Sequence, residues 1–155
     1  RIIDKTGPPA NPADRDHCIQ YMVAIPLLFG RLIAEDYEDV IAHDPRIDQL
    51  RNKMLVRENT RFTEEYYAAD KRYIGNAVQV FFNDGTASER VSIDVPIGHR
   101  KRRAEGMPLL RKKFEASVVA HFSPKQSESI KALFTDRARL ERMPVNEFVS
   151  GIVKN

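Results

Sequence analysis

The sequence predicts an α+β fold in which a small antiparallel sheet is covered by helices. Two segments rich in β-branched and aromatic residues, at 77–82 and 91–95, flank Asn83-Asp84-Gly85, which is a strong hairpin turn signal. Apolar and polar residues alternate along the second segment, so we expect one buried and one exposed face. Much of the remaining chain carries apolar residues at helical spacing, as in the stripe Leu110, Phe114, Val118.

The composition is typical of a soluble globular protein. The chain has 155 residues, of which 42% are apolar and 30% charged, so disordered and collagen-like classes are excluded. The longest apolar run, residues 23–29, is too short to cross a bilayer, and no signal peptide is recognisable. We therefore expect a cytoplasmic protein without a membrane partner. The chain begins with Arg1 rather than Met, which suggests a cut from a longer polypeptide.

The metal-ligating residues are sparse. Cys18 is the single cysteine, so the chain can form no internal disulfide and lacks the thiolates of an iron–sulfur cluster. The four histidines are scattered without ligand spacing: His17, His43, His99 and His121. We expect neither a metal nor another cofactor.

The predicted helices and strands follow from caps, turn residues and spacing. Asn11 is a good N-cap and Pro12 suits the first helical position, so we expect one helix from there to about Phe29, kinked or in its last turn at Pro26 and ended by Gly30. Further helices are predicted at 34–42, 45–52, 108–121, from Ser123 and from Pro144. A short strand is predicted at 54–56, an extended segment at 2–12, and loops at 58–72 and 96–106.

The first candidate functional segment is the start of the long helix. Arg15 and His17 would lie near its first turn, where free backbone N–H groups and the helix dipole favour an anion. A guanidinium there could hold a carboxylate with two hydrogen bonds, and a histidine could move a proton near neutral pH. The structural alternative is a solvated helix end with a satisfied interfacial histidine.

The second candidate segment is the basic run from Gly98 to Arg103. It could bind an acidic ligand or nucleic acid, or it could be a solvated charged loop. No aromatic residue interleaves with the basic residues and no helix-turn-helix or zinc-finger pattern is present, so we expect no nucleic-acid partner. The tyrosines at 66, 67 and 73 could reach a ligand, although such residues more often pack or line a rim.

These segments resemble one known family. The stretch from Asn11 to Leu32, including Asp14-Arg15-Asp16-His17-Cys18-Ile19-Gln20-Tyr21, is similar to the start of the C-terminal domain of the MmgE/PrpD family. Three further stretches match in the same order: residues 71–78, 96–103 and 108–114. The run from Gly98 to Arg103 resembles the branch of the family that acts on methylcitrate.

The resemblance implies a fold, a reaction and a missing part. Family subunits have a large helical N-terminal domain and a smaller α+β lid domain, with the active site between them. We therefore expect residues 1–143 to form the lid and the helix at 144–155 to pack on the missing domain. The implied reaction is the dehydration of 2-methylcitrate to 2-methyl-cis-aconitate without an iron–sulfur cluster, by a homodimer in its full-length form.

The resemblance also assigns site residues. His17 matches the lid histidine that faces the active site, so we expect it to be catalytic or to orient the substrate, with Arg15 as a carboxylate clamp. Lys5, Arg57 and His99 are further candidates for a cationic pocket that binds the tricarboxylate. We expect this chain alone to be inactive. Two alternatives remain: a lid of a related isomerase or decarboxylase that acts on another tricarboxylate, and a basic binding module without catalysis.

Overall fold

A computed structural model describes residues 3–153, and the chain divides into two compact units, Arg1–Asn59 and Thr60–Asn155. The predicted strand character of Ile2 lies outside the described residues. Within them, helices predominate and the sheet has two antiparallel strands, which confirms the α+β class.

The first unit contains four α-helices and one 3-10 helix. Their bounds are α1 Pro12–Arg15, α2 Ile19–Phe29, the 3-10 helix Ala34–Tyr37, α3 Asp39–Ala42 and α4 Pro45–Arg51. The Asn11 side chain caps α1 by accepting a hydrogen bond from the Asp14 amide, as predicted. Gly30 ends α2 in the left-handed conformation with φ of 70°, also as predicted.

The single helix predicted between Asn11 and Phe29 is wrong, because residues 16–18 interrupt it. The Ile19 amide donates to the Ile3 carbonyl over 2.8 Å instead of continuing the helical ladder. Cys18 has extended backbone angles and places its thiol in the interior. The opening segment of the chain therefore accepts the hydrogen bond that the Ile19 amide would donate within a continuous helix. As a result, His17 lies in a turn between α1 and α2.

The core of the first unit forms where α2 packs on α4. Tyr21, Ala24 and Ile25 of α2 are fully buried together with Cys18 and Ile47. Three of these side chains come from one face of α2, where residues three and four apart lie side by side. Helices α1 to α4 each contribute a residue to the candidate site: Arg15, Tyr21, Asp39 and Asp48.

The second unit contains the sheet and the longer helices. Their bounds are α5 Thr60–Tyr67, β1 Asn76–Val78, β2 Val91–Ile93, a 3-10 helix Arg100–Arg102, α6 Arg103–His121, α7 Pro124–Thr135, α8 Arg137–Arg142 and α9 Val145–Gly151. Ser123 caps α7 as predicted. Val118 of α6 and two residues of α7, Ile130 and Leu133, are the buried apolar residues here. Leu110 is exposed, so the stripe predicted along α6 is buried at one end only.

The predicted hairpin is present but shorter than expected. Asn76 pairs with Ile93 and Val78 with Val91 in an antiparallel register, and Gly85 adopts a φ of 86° in the turn. Val91 and Ile93 are both more than half exposed, so the expected buried face of β2 is wrong for the residues described.

Four other element predictions need correction. Residues 54–56 form no strand, and the predicted helix at 34–42 is two short helices separated at Glu38. Residues 60–67 form α5 rather than a loop, and an Arg61–Glu65 ion pair one turn apart adds a small stabilisation to this polar helix. Helix α6 begins at Arg103, five residues before the predicted start.

Candidate functional site

Arg15 is the central charged residue of the first unit. It ends α1 and is only 4% exposed. Its guanidinium donates one hydrogen bond to the Tyr37 carbonyl and one to the Asp39 carboxylate, each over 2.6 Å. The Asp39 side chain is 68% exposed, so a buried guanidinium meets a carboxylate that reaches it from the solvent side.

A polar cavity of about 290 Å³ lies beside this pair. That volume is near the lower end of small-molecule sites in proteins. Arg15, Tyr21, Asp39, His43 and Asp48 contribute its polar lining, and Pro8, Pro9, Ala10 and Ala42 complete the wall.

A second buried arginine, outside the cavity lining, makes a similar pair with Asp48, which lines the cavity. Arg51 is 5% exposed and donates over 2.5 Å to Asp48, whose side chain is half exposed. It also donates to the Gly7 carbonyl over 2.8 Å. Tyr21 is held in the wall because its hydroxyl donates to the Asp36 carbonyl over 2.6 Å, and burial raises the pKa of its phenol. The lining guanidinium of Arg15, with its exposed partner Asp39, gives the cavity the chemistry of a carboxylate receptor, and Arg51 holds a second lining carboxylate, that of Asp48.

His17 lies in the turn after α1, with its side chain 60% exposed, and does not line the cavity. It therefore lies next to the first helical turn and outside the helix itself. Its Nδ1 atom hydrogen-bonds to the Asp16 carboxylate and contacts the Ala13 carbonyl over 3.2 Å. Within residues 3–153 no hydrogen bond forms at Nε2, so that atom is free to meet a ligand.

Asp16 also sets the protonation of His17. Its hydrogen bond to the imidazole, and then its negative charge, raise the pKa of His17 above the ordinary value, with a smaller contribution from the Ala13 carbonyl. A carboxylate on one ring nitrogen and a free second nitrogen is the arrangement of an oriented acid or base.

We expect NMR titration to show the midpoint of the His17 imidazole above its ordinary value, and Asp16→Asn to lower it. Because folding raises this pKa, the stabilising contribution is fully present below the unfolded value of about 6.5 and is lost as the pH rises through the folded pKa. Asp44→Asn is the matched control, since Asp44 pairs with Arg46 and not with His17. An unchanged midpoint in Asp16→Asn would contradict this account.

Lys5 and Arg57, two of the predicted pocket residues, also belong to the first unit. The Lys5 ammonium pairs with Asp14 over 2.8 Å and holds the pKa of that carboxyl below its usual value. Arg57 is exposed in the irregular segment after α4. The cavity lining includes neither residue.

His99, the remaining predicted residue, belongs to the second unit. It caps the 3-10 helix Arg100–Arg102, since its Nδ1 accepts a hydrogen bond from the Lys101 amide over 3.2 Å. Its ring contacts Tyr73 edge to face, with 5.8 Å between centroids. The structure therefore brings His99 together with Tyr73 and Lys101.

Sequence reasoning missed the carboxylates of the first unit's cavity. Asp39 and Asp48 lie in an acidic stretch that carried no functional prediction. The one local signal was the three-residue spacing of Asp48 and Arg51, which places the two side chains on the same face of a helix. Among the described residues, no group of three or more acidic, histidine or cysteine side chains is placed to hold a metal ion. No helix within residues 3–153 is long and apolar enough to span a membrane.

Comparison with known proteins agrees on one family. The sequence model of the MmgE/PrpD C-terminal domain matches residues 1–137. Relatives named 2-methylcitrate dehydratase come from Cupriavidus necator, 56% identical, and Salmonella typhimurium, 55% identical, each over 149 residues. Both alignments cover 96% of this chain and 31% of the relative. A relative from Yarrowia lipolytica named 2-methylcitrate dehydratase, mitochondrial, is 53% identical over 99% of this chain and 29% of its own length.

The chain thus spans about a third of the length of the curated relatives that it matches. The matches extend from the site segment of the first unit through the basic run of the second, and they do not favour the alternative of a non-catalytic binding module. The chain belongs to the MmgE/PrpD family and represents its C-terminal domain.

Proposed function

We propose that the full-length protein containing this chain is a hydro-lyase that dehydrates 2-methylcitrate to 2-methyl-cis-aconitate in propionate breakdown. The observation that carries the proposal is the identity of about 55% to proteins named 2-methylcitrate dehydratase over 96% of the chain. The polar cavity lined by the buried Arg15 supports it, because the substrate presents three carboxylates.

The reaction is a β-elimination. A base removes a proton from the carbon beside a carboxylate, the C–O bond of the neighbouring carbon breaks, and a general acid gives the departing hydroxyl a proton so that it leaves as water. Negative charge develops on the carboxylate next to the reacting carbon, so cationic groups that hold this carboxylate lower the barrier.

Arg15 is the proposed carboxylate clamp. Its guanidinium is buried and held by the Tyr37 carbonyl, and it points at the exposed carboxylate of Asp39. Asp39 marks where a carboxylate from solvent reaches the guanidinium. A substrate carboxylate would take the position of Asp39 and leave Asp39, whose side chain is 68% exposed, in water.

His17 is the proposed proton donor to the departing hydroxyl. Asp16 raises its pKa and occupies Nδ1, so the protonated ring presents Nε2–H outward. Lys5 and Arg57 are proposed to add positive charge around the substrate, and His99 is proposed as a neutral hydrogen-bond donor. The base and other catalytic groups are proposed to lie in the helical N-terminal domain, on which the helix α9 would pack. The homodimer and cytoplasmic location implied by the family resemblance belong to the same proposal.

A chimera tests the function. In it, this chain replaces the matching C-terminal 31% of the Cupriavidus necator relative. We expect the purified chimera to dehydrate 2-methylcitrate, measured as absorbance of the unsaturated product, whereas the 155-residue chain alone gives no turnover. Turnover by the chain alone would refute the proposed division of catalytic groups. A folded chimera that acts on citrate or cis-aconitate but not on 2-methylcitrate would favour a related enzyme.

A further inference from the structure

Two loops of the second unit meet at Tyr73. The Lys101 ammonium donates to the Tyr73 hydroxyl over 2.8 Å, across 28 residues of sequence. Lys101 also lies over the Tyr73 ring, 4.6 Å from its centroid, and the His99 ring packs against the same ring. Tyr73, His99 and Lys101 therefore form one cluster, which we call the Tyr73 cluster.

The hydrogen bonds of the Tyr73 cluster fix where its protons point. The Nδ1 atom of His99 accepts from the Lys101 amide, so the neutral ring carries its proton on Nε2. The Tyr73 oxygen accepts from Lys101, so its own O–H is available to donate to another group. The cluster thus offers three kinds of donor: an ammonium, a hydroxyl and an imidazole N–H.

Positive charge at the Tyr73 cluster has little compensation. Lys101 donates to a neutral hydroxyl, and its neighbour Arg100 donates to the Asp70 carbonyl over 3.2 Å, so neither is held by a carboxylate in the hydrogen bonds and ion pairs of the described residues. Lys71 lies 5.9 Å from the Tyr73 ring and pairs with Glu65 over 3.2 Å. The surplus charge at this place is that of Lys101 and Arg100.

The loop that carries His99 and Lys101 is anchored on both sides. Arg102 donates to the Val95 carbonyl over 3.1 Å and pairs with Glu105 over 2.8 Å. A methyl group on Gly106 would lie 2.6 Å from the Ile97 carbonyl, so the close approach of α6 to this loop requires glycine. An anchored set of donors binds an anion with less loss of conformational entropy than free side chains.

We propose that Tyr73, His99 and Lys101 bind one carboxylate group of a polycarboxylate ligand. The ligand class rests on the proposed function, whereas the anion site rests on the contacts of the cluster itself. Nothing in the family match assigns this role to Tyr73 or Lys101.

Titration of the 155-residue chain tests the site. Tricarballylate, a propane with three carboxylates, and inorganic phosphate are added separately at constant ionic strength while NMR follows the His99 ring. We expect a saturable shift with tricarballylate, a dissociation constant about tenfold higher or more in Lys101→Met, and a severalfold weaker effect of Tyr73→Phe. Lys101→Arg, which keeps the charge, is expected to retain binding within a few-fold. Lys125→Met on α7 is the matched control and should bind like the parent chain.

Three outcomes would overturn the inference: no saturable shift in the parent chain, equal affinity in Lys101→Met, or tighter binding of phosphate than of tricarballylate. If Lys101→Met fails to fold, tricarballylate binding by Tyr73→Phe and Lys101→Arg still tests the site. Loss of binding in Lys101→Arg would argue against the proposed anion site. Turnover by the chimera is measured independently. An active chimera without tricarballylate binding at His99 overturns this inference alone, whereas an inactive chimera with saturable binding overturns the proposed function alone.

Discussion

Replacing His17 with alanine in the chimera is expected to lower kcat by about 100-fold or more, the usual scale for the loss of a general acid or base. The physical reason is that Asp16 holds Nδ1 and raises the pKa of the ring, so His17 supplies a proton at Nε2 when the hydroxyl departs. The measurement is kcat and KM for 2-methylcitrate across pH.

The control for His17 is His121→Ala, at the exposed end of α6, which should leave kcat unchanged. The pH profile separates catalysis from structure. An acid with a raised pKa keeps kcat high until the pH rises through that pKa, so Asp16→Asn should move the alkaline limb to lower pH. A kcat within twofold of the parent in His17→Ala would assign His17 to structure.

Arg15→Lys in the chimera is expected to raise KM for 2-methylcitrate by about tenfold, with a smaller change in kcat. Lysine keeps the charge but lacks the planar fork with which the guanidinium donates to the Tyr37 carbonyl and to a carboxylate at once. The loss of one charge-assisted hydrogen bond, about 1.5–3 kcal/mol, corresponds to roughly tenfold or more in affinity. Steady-state kinetics measure this effect, and Arg46→Lys, in an exposed pair with Asp44, is the matched control.

Asp39→Asn distinguishes a clamp from a purely structural pair. If Asp39 stands where a substrate carboxylate binds, neutralising it removes a competitor, so KM should stay the same or fall. If the Arg15–Asp39 pair only stabilises the fold, Arg15→Lys and Asp39→Asn should both lower the melting temperature and should change KM in the same direction. The second result would contradict the proposed role of Arg15.

Local signals in the sequence were reliable where one residue type dictates the backbone. Asn11 caps α1, Gly30 ends α2, Ser123 begins α7 as its cap, and Asn83-Asp84-Gly85 turns the hairpin. Each of these rests on a side chain or a positive φ within a few residues, so no distant contact is needed to decide it. The family resemblance was equally accessible, because its matches follow the chain in order.

Long-range contacts decided what the local signals could not. The hydrogen bond between the Ile19 amide and the Ile3 carbonyl breaks the predicted long helix and moves His17 into a turn. Single-residue propensities carry no information about that partner 16 residues away. The exposure of Val91 and Ile93 likewise depends on what packs over the sheet, which alternation alone does not determine.

By itself, the sequence determined the α+β class, the ends of several helices, the hairpin and the family, because these depend on short patterns or on similarity along the chain. Tertiary structure decided that Arg15 is buried against Asp39, that Asp16 holds the ring of His17 in a turn, and that His99 meets Tyr73 and Lys101. The physical reason is that the burial and charge of a side chain depend on neighbours that folding brings from elsewhere in the chain.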